Sequence, residues 1–389
     1  MLRLLLGLTL VSTTGRGVFF AVSVLYFTQV VGLSVQGVGL ALTLAAGVGV
    51  VASSVAGFVA DHVPARHLIA LTMTVEAGAL LVLPWASSLL TFGMLAGLES
   101  GMNRGSATAR QTLVARAFVG PERTTARARM RVATNLGMGL GSGAAAVVLL
   151  DGGVHAFRYA MTAAALTYLV AAVLALRMPV DHVPTARKTG DDRVETPRHR
   201  PWRDRRYLGL TCVNGALVTH FAVIEIGLPI WLVTRTEAPV ALVSGLLVLN
   251  TSLVVLLQVR LNRGFERVDR AGRALLTGGS LLATATIAYA AAAWGGPVVA
   301  SVVLVLGGVA HGLGEILTSG AGFSLSFELA DARAPGAHQG FYGTGQALGM
   351  MAGPALVTLV IALGPRGWLL YTLGFAVLGL AGRALARAQ

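Results

Sequence analysis

Long apolar stretches alternate with short polar gaps along the whole chain. Each stretch has roughly 18 residues or more, which is enough to cross a bilayer as a helix. Because an unpaired backbone polar group is costly in lipid, spans of this kind must be helices and not open strands. The pattern predicts an all-α polytopic membrane protein with twelve transmembrane helices, at 4–31, 38–60, 67–84, 88–115, 130–150, 159–176, 207–233, 239–261, 274–294, 297–329, 338–363 and 367–384.

The longest polar gap divides these stretches into six and six. Residues 177–206 hold four prolines, nine cations and five acids, a composition typical of a polar tether. We therefore predict an N-terminal six-helix bundle at 1–176, a cytoplasmic linker at 177–206 and a C-terminal six-helix bundle at 207–389.

Cationic residues are sorted between the gaps. Of 30 Lys and Arg, 23 lie at the termini or in every second gap, and the alternate gaps hold only three, Arg158, Arg235 and Arg366. Since cationic loops resist translocation, the rich side is predicted to be cytoplasmic, with both termini inside and the protein in the cell (inner) membrane. This sorting accounts for the net charge of +13 without nucleic acid, and a mean hydropathy of +0.73 excludes an ordinary soluble protein.

The two halves share a weak internal repeat. Gly137 and Gly141 align with Gly349 and Gly353 at an offset of 212 residues, and Asp61 aligns with Asp269 at an offset of 208. Two separated features with nearly one offset indicate duplicated six-helix units, as in many secondary transporters.

The polar gaps after the second and eighth stretches carry related motifs, Gly57-x-x-x-Asp61-His62-Val63-Pro64-Ala65-Arg66 and Asp269-Arg270-Ala271-Gly272-Arg273. Both resemble the G-x-x-x-D-R-x-G-R-R signature of the major facilitator superfamily, and the second is closer to that pattern. The resemblance implies the twelve-helix facilitator fold and a gate built from Gly57, Asp61, Arg66, Asp269, Arg270, Gly272 and Arg273. A carboxylate at a helix end beside cations can lock one conformation. The plain alternative is that these loops only carry positive-inside charge.

A glycine pattern in the fifth stretch resembles the antiporter motif of drug–proton exchangers. Gly137 and Gly141 are four apart and permit close helix approach, although the family's Gly-Pro pair is Gly141-Ser142 here. The eleventh stretch instead has Gly349, Gly353 and Pro354. The glycines of both stretches and Pro354 are therefore expected to take part in gating. The alternative is that they serve only ordinary helix packing.

Ionisable side chains occur deep inside several stretches, where each charge costs about 3 kcal/mol or more. They are Arg16, Glu76, Glu99, Arg104, His220, Glu225, His311 and Glu315. All except Glu76 fall on stretches 1, 4, 7 and 10, which by the resemblance are the four helices that line the central cavity. Glu76 is expected to be structural, and His220 to be a satisfied core residue.

By helical spacing, further polar and aromatic residues lie on the same helix faces as these charged residues. His311 and Glu315 are four residues apart, so their side chains can touch and share a proton. Glu99, Glu225 and Glu315 are the candidate proton sites. The alternative is that Arg16 and Arg104 pair permanently with Glu99 or Glu76 as structural ties. The expected substrate- and proton-binding set is Arg16, Phe20, Phe27, Glu99, Asn103, Arg104, Asn214, Phe221, Glu225, His311 and Glu315.

These features predict a monomeric secondary transporter that binds a small-molecule substrate and protons and lies in the lipid bilayer. The expected activity is proton-coupled efflux of amphipathic compounds, drugs or secondary metabolites, with the proton gradient in place of a cofactor. Uptake of a sugar, peptide or organic acid by proton symport is the first rival, and a non-transporting sensor or scaffold the second. The chain has no zincin, nucleophile-elbow or phosphate-loop motif and no cysteine cluster, so no enzyme or metal site is expected.

Overall fold

The computed structural model describes residues 1–151, 153–179 and 200–387, and it confirms an all-α protein with no strand among those residues. Ten of its helical segments are long and apolar enough to cross a membrane. The two further long helices, α4 and α5, carry many charged side chains. The helices are α1 Leu2–Leu25, α2 Val35–Ala60, α3 Ala65–Val82, α4 Leu89–Ala117, α5 Gly120–Asp151, α6 Val154–Leu176, α7 Arg205–Arg235, α8 Leu242–Leu261, α9 Val268–Ala291, α10 Pro297–Glu328, α11 Pro335–Ala362 and α12 Pro365–Arg387.

Several helices begin before the apolar stretch that predicted them. Helix α5 starts at Gly120 rather than at residue 130, because arginine ends an apolar run but is a good helix former. Its first turns make polar contacts: Arg123 pairs with Glu328 at 3.2 Å, and the Arg127 guanidinium lies 3.8 Å from the ring centroid of Phe323. Hydropathy therefore marks the membrane-embedded part of a helix and not its end.

Helix α7 is irregular. It consists of Arg205–Leu217, a short piece His220–Ala222, a π-helical turn Val223–Gly227 and a last piece Leu228–Arg235. Pro229 has no N–H to donate to the carbonyl of Glu225, which explains the wide turn before it. Spacing arguments that assume 100° per residue through this helix therefore fail.

The helices form two compact units. Unit 1 comprises Met1–Val119, Arg129–Pro201 and Ala330–Thr344, so it includes the first turns of α11. Unit 2 comprises Gly120–Ala128, Trp202–Leu329 and Gly345–Gln389, so it includes the first turns of α5. Most of the expected linker 177–206, residues 180–199, lies outside the described residues, and the domain division at 176 and 207 stays a prediction.

Each unit has its own aromatic core. In unit 1 the fully buried Phe27 packs on Phe92, with ring centroids 4.3 Å apart. In unit 2 the Trp231 indole donates to the carbonyl of Tyr289 at 2.8 Å and meets Trp368 edge-on. Large apolar side chains also lie exposed on the outside of the helices, as they do on surfaces that face lipid, including Leu44, Val51, Val248, Leu256, Leu306 and Leu373.

Candidate functional site

A polar relay joins three helices of unit 1. The Arg16 guanidinium on α1 donates to the side-chain carbonyl of Asn103 on α4. The amide nitrogen of Asn103 then donates to Oε1 of Glu76 on α3 at 2.9 Å. Glu76 is fully buried. An unpaired polar side chain inside the membrane costs free energy. The relay pairs Arg16, Asn103 and Glu76 and so lowers the cost of burying them.

Two of the predicted residues flank this relay. Glu99 is buried one turn before Asn103 on α4, and the aliphatic part of Arg104 packs close to Gly49 of α2. In the part of the chain that the structure describes, neither Arg16 nor Arg104 forms an ion pair within 4.0 Å with a carboxylate. Arg16 therefore reaches Glu76 through Asn103 and not through a direct ion pair.

The two phenylalanines predicted on the stripe of α1 differ in environment. Phe20 is 55% exposed and lies 5.1 Å from the Arg16 guanidinium, a cation–π contact. Phe27 lies in a π-helical turn, Tyr26–Val30, and is fully buried. Only Phe20 is available to a substrate in this structure.

Glu76 lies in the same polar relay as two of the predicted binding residues, Arg16 and Asn103. It was expected to be structural because it is the one deep acid outside stretches 1, 4, 7 and 10. The structure joins it to Arg16 through Asn103, a tie between helices that is compatible with this expectation. Its depth in an apolar helix is the sequence feature that points to such a buried polar contact.

The predicted residues of α7 are separated by its irregularity. Asn214 is buried at the end of the first piece, Phe221 is half-buried, and Glu225 is exposed in the π-helical turn. His220, expected to be a core residue, is buried, and its ring centroid lies 5.3 Å from that of His311. The break in the helix turns His220 toward α10.

His311 and Glu315 lie one turn apart on α10, and both are buried. The side-chain amide of Asn250 on α8 donates to Oε2 of Glu315 at 3.2 Å. A methyl group at Gly312 would lie 2.8 Å from Leu253 Cδ1, so the glycine lets α8 approach α10 closely. The two helices thus bring an amide to the buried carboxyl group.

The first motif copy forms a buried contact with the start of α11. The Asp61 carboxylate accepts the backbone N–H groups of Gly336 and Ala337, both at 2.7 Å. Arg116 at the end of α4 pairs with the same carboxylate at 3.3 Å and donates to the Ala60 carbonyl at 2.5 Å. A carboxylate on the free N–H groups of a helix N-terminus is favoured by hydrogen bonding and by the helix dipole.

Close backbone approach makes this contact possible. A methyl group at Gly57 would lie 2.8 Å from the Cα atom of Gly340. Arg66, predicted as part of the gate, instead donates to the Met178 carbonyl at 3.1 Å. The cation beside Asp61 is therefore Arg116, which the motif does not contain.

The second motif copy makes an exposed contact within unit 2. Asp269 at the start of α9 pairs with Arg383 of α12 at 2.6 Å and with Arg273 at 2.9 Å. Arg270 packs against the backbone at Gly264, and a methyl group at Gly272 would collide with Ala386. This copy ties α9 to α12.

The predicted glycine seams exist in both halves. Methyl groups at Gly137 and Gly141 of α5 would lie 2.7 Å from the Leu10 carbonyl and 2.8 Å from the Val18 nitrogen on α1. The seam of α11 faces α7, where a methyl group at Gly353 would lie 2.9 Å from Ala222 Cβ. Gly349 contacts the Gly215 backbone, and Pro354 lies inside α11. The repeat in the sequence is thus a repeat in helix packing.

Comparison with known proteins places this geometry in one family. No curated protein sequence matches the chain. Similar solved structures include a bacterial homologue of the iron transporter ferroportin in an outward-facing state (12% identity, 99% of this chain and 98% of that chain, TM-score 0.77). The E. coli fucose:proton symporter is 14% identical over 100% of this chain and 98% of that chain, with a TM-score of 0.74. The human organic anion transporter MFSD10 is 16% identical over 98% of each chain, with a TM-score of 0.72. The profile of the Major Facilitator Superfamily matches residues 5–354, and the chain belongs to that family.

Proposed function

We propose that this protein is a proton-coupled secondary transporter that exports small amphipathic compounds by alternating access, in the manner of the drug–proton antiporter branch. The observation that carries the proposal is the buried relay from Arg16 through Asn103 to Glu76, with Glu99 one turn away. Protonation of a carboxylate at this depth removes a charge that the membrane interior disfavours. Such a group can take up a proton from one side and release it when its surroundings change.

The side chains around the relay suit a cargo with both apolar and charged parts. Phe20 offers an exposed ring beside Arg16, and Arg110 donates to Ser106 at 2.9 Å further along α4. Three arginines, Arg16, Arg104 and Arg110, accompany the two acids in this region, which favours anionic or zwitterionic amphipathic compounds. MFSD10, a structure with the same fold, is an organic anion transporter.

The Asp61 contact supplies the proposed gate. Its two backbone bonds and its arginine hold the start of α11 to the ends of α2 and α4. Alternating access requires this contact to break and reform during the cycle. With the termini on the cytoplasmic side, as the arginine sorting predicts, this gate closes the cytoplasmic face.

Uptake by proton symport is the second candidate. It is favoured by Ser142, which stands where the antiporter motif has proline, and by the uninterrupted course of α5 from Gly120 to Asp151. The E. coli fucose:proton symporter has the same fold, so the fold itself is compatible with either direction.

Inverted membrane vesicles with an imposed proton gradient and a fluorescent pH reporter separate these candidates. Export predicts that added lipophilic compounds dissipate the gradient in vesicles that carry the protein, and that Glu76→Gln abolishes this response. The matched control is Glu237→Gln, the same change at an exposed acid in the loop after α7. Loss of cargo from the lumen driven by the gradient would support uptake, and no response to any compound or sugar would contradict both.

A further inference from the structure

Three buried side chains with metal-binding donor atoms meet in unit 2, although the sequence predicts no metal site. His220 comes from the short piece of α7, and His311 and Glu315 come from α10. One ligand atom from each residue lies within 4.8 Å of the other two. We propose that these three side chains bind one divalent transition-metal ion, of the kind that Zn²⁺ represents.

The geometry of α7 and α10 brings these three side chains together. His311 and Glu315 are four residues apart and therefore project from the same face of α10. His220 enters from α7 because the helix breaks at Val218 and Thr219 and widens again at Val223–Gly227. Single π-helical turns are frequent at functional sites, where they redirect a side chain.

The donor spacing is close to that of a metal site. Zn²⁺ binds imidazole nitrogen and carboxylate oxygen at about 2.0–2.2 Å, and tetrahedral geometry then puts the donors roughly 3.4 Å apart. Donors within 4.8 Å reach that spacing through an inward movement of about 1 Å, which side-chain torsions supply.

The donor set selects the class of ion. Two imidazoles and one carboxylate suit Zn²⁺ and the neighbouring first-row divalent ions, whereas Ca²⁺ and Mg²⁺ prefer all-oxygen sites. Three protein ligands leave at least one coordination position open for water or for another group. A divalent cation also offsets the charge of a carboxylate buried within a membrane helix.

The surroundings of the three donors fit a metal in two further ways. His311 is fully buried and faces the His220 backbone, but neither of its ring nitrogens makes a hydrogen bond of standard geometry among the described residues. A buried imidazole of this kind needs a partner, and a metal ion provides one. The Asn250 amide donates to Glu315, an orienting contact of the kind that surrounds metal ligands.

A proton is the alternative occupant. A neutral carboxyl group that shares its proton with an imidazole would fill the same space, as the sequence spacing of His311 and Glu315 suggested. The metal proposal does not rest on proton-coupled transport, since binding is measured on purified protein with no gradient. A protein that binds no metal could therefore still couple protons to transport, and a protein without proton coupling could still bind the metal.

The test is metal titration of the full chain in lipid nanodiscs after treatment with a chelator. Calorimetry with Zn²⁺ is expected to show one ion per chain, and Co²⁺ is expected to give the visible absorption of a low-symmetry nitrogen and oxygen site. Mg²⁺ is expected to give no signal. His220→Gln, His311→Gln and Glu315→Gln each lower Zn²⁺ affinity by at least about tenfold. His338→Gln, the same change at another buried histidine, leaves it unchanged.

Absence of Zn²⁺ and Co²⁺ binding by the wild type overturns the proposal and favours the shared proton. Binding that survives all three glutamine variants also overturns it, because the ion then lies elsewhere. If one variant does not fold, the other two and the Co²⁺ spectrum of the wild type still give the answer.

Discussion

The two copies of the signature motif differ in the contacts they make. Asp61 belongs to the poorer sequence match, yet its side chain is 5% exposed and bonds to two backbone N–H groups and to Arg116. Asp269 belongs to the better match, yet its side chain is 58% exposed and pairs with Arg273 and Arg383. Similar residues in corresponding positions thus occupy a buried helix cap and a solvated ion pair.

The strength of each contact thus depends on the groups that pair with the aspartate and on their burial, and not on how closely the sequence matches the motif. Charge-assisted bonds to a buried helix N-terminus are strong because they satisfy groups that water cannot reach. Exposed ion pairs contribute little because water and salt screen them. The sequence ranks Asp269 first as a gate, whereas the contacts rank Asp61 first.

The largest effect is expected from Asp61→Asn. The substitution removes the charge that two N–H groups and Arg116 share, at a cost of about 2 kcal/mol, or roughly a 30-fold larger population with α11 released. A cysteine at Ala334, buried just before α11, reports the release when the native Cys212 is replaced by serine. The measurement is the rate of thiol labelling, and an unchanged rate would remove Asp61 from the gate.

Arg116→Gln is expected to have an intermediate effect. It leaves the two backbone bonds to Asp61 but removes the cation and one bond to the Ala60 carbonyl. Labelling at Ala334→Cys should rise by about tenfold, which corresponds to roughly 1.4 kcal/mol for a hydrogen bond to a charged group. Arg66→Gln is the matched control, because Arg66 donates to Met178 and not to Asp61. An equal response of both variants would mean that net charge, and not the specific contact, controls release.

The smallest effect is expected from Asp269→Asn. Its ion pairs are solvated, so labelling at Ala334→Cys should change by less than about threefold. The same measurement at high ionic strength should reduce even this change, since salt screens exposed pairs. A response as large as that of Asp61→Asn would contradict the contrast between the two copies.

Much of the fold could be predicted from hydrophobic patterning alone. Twelve apolar stretches became twelve helices, because a bilayer leaves a polypeptide few other ways to satisfy its backbone. The early start of α5 could not be read this way, since arginine at 123 and 127 is polar but favourable to a helix.

The site was less predictable. Depth alone identified Glu76, Glu99 and Glu315, but the relay through Asn103 depends on which helices face each other. The approach of His220 to His311 could not be predicted, because α7 is interrupted at Val218 and Thr219 and does not run as one regular helix. Arg116 could not be linked to Asp61 because the contact joins helix ends 55 residues apart.

Proton flux in proteoliposomes tests the central claim, that the buried acids of unit 1 couple protons to cargo. The purified chain is reconstituted with a luminal pH dye, and a compound that dissipates the vesicle gradient is added to the wild type, Glu99→Gln, Glu76→Gln and Glu237→Gln. The account predicts compound-dependent proton movement in the wild type and Glu237→Gln, and its loss in Glu99→Gln with compound binding retained. Coupling of wild-type size in both Glu99→Gln and Glu76→Gln would contradict it.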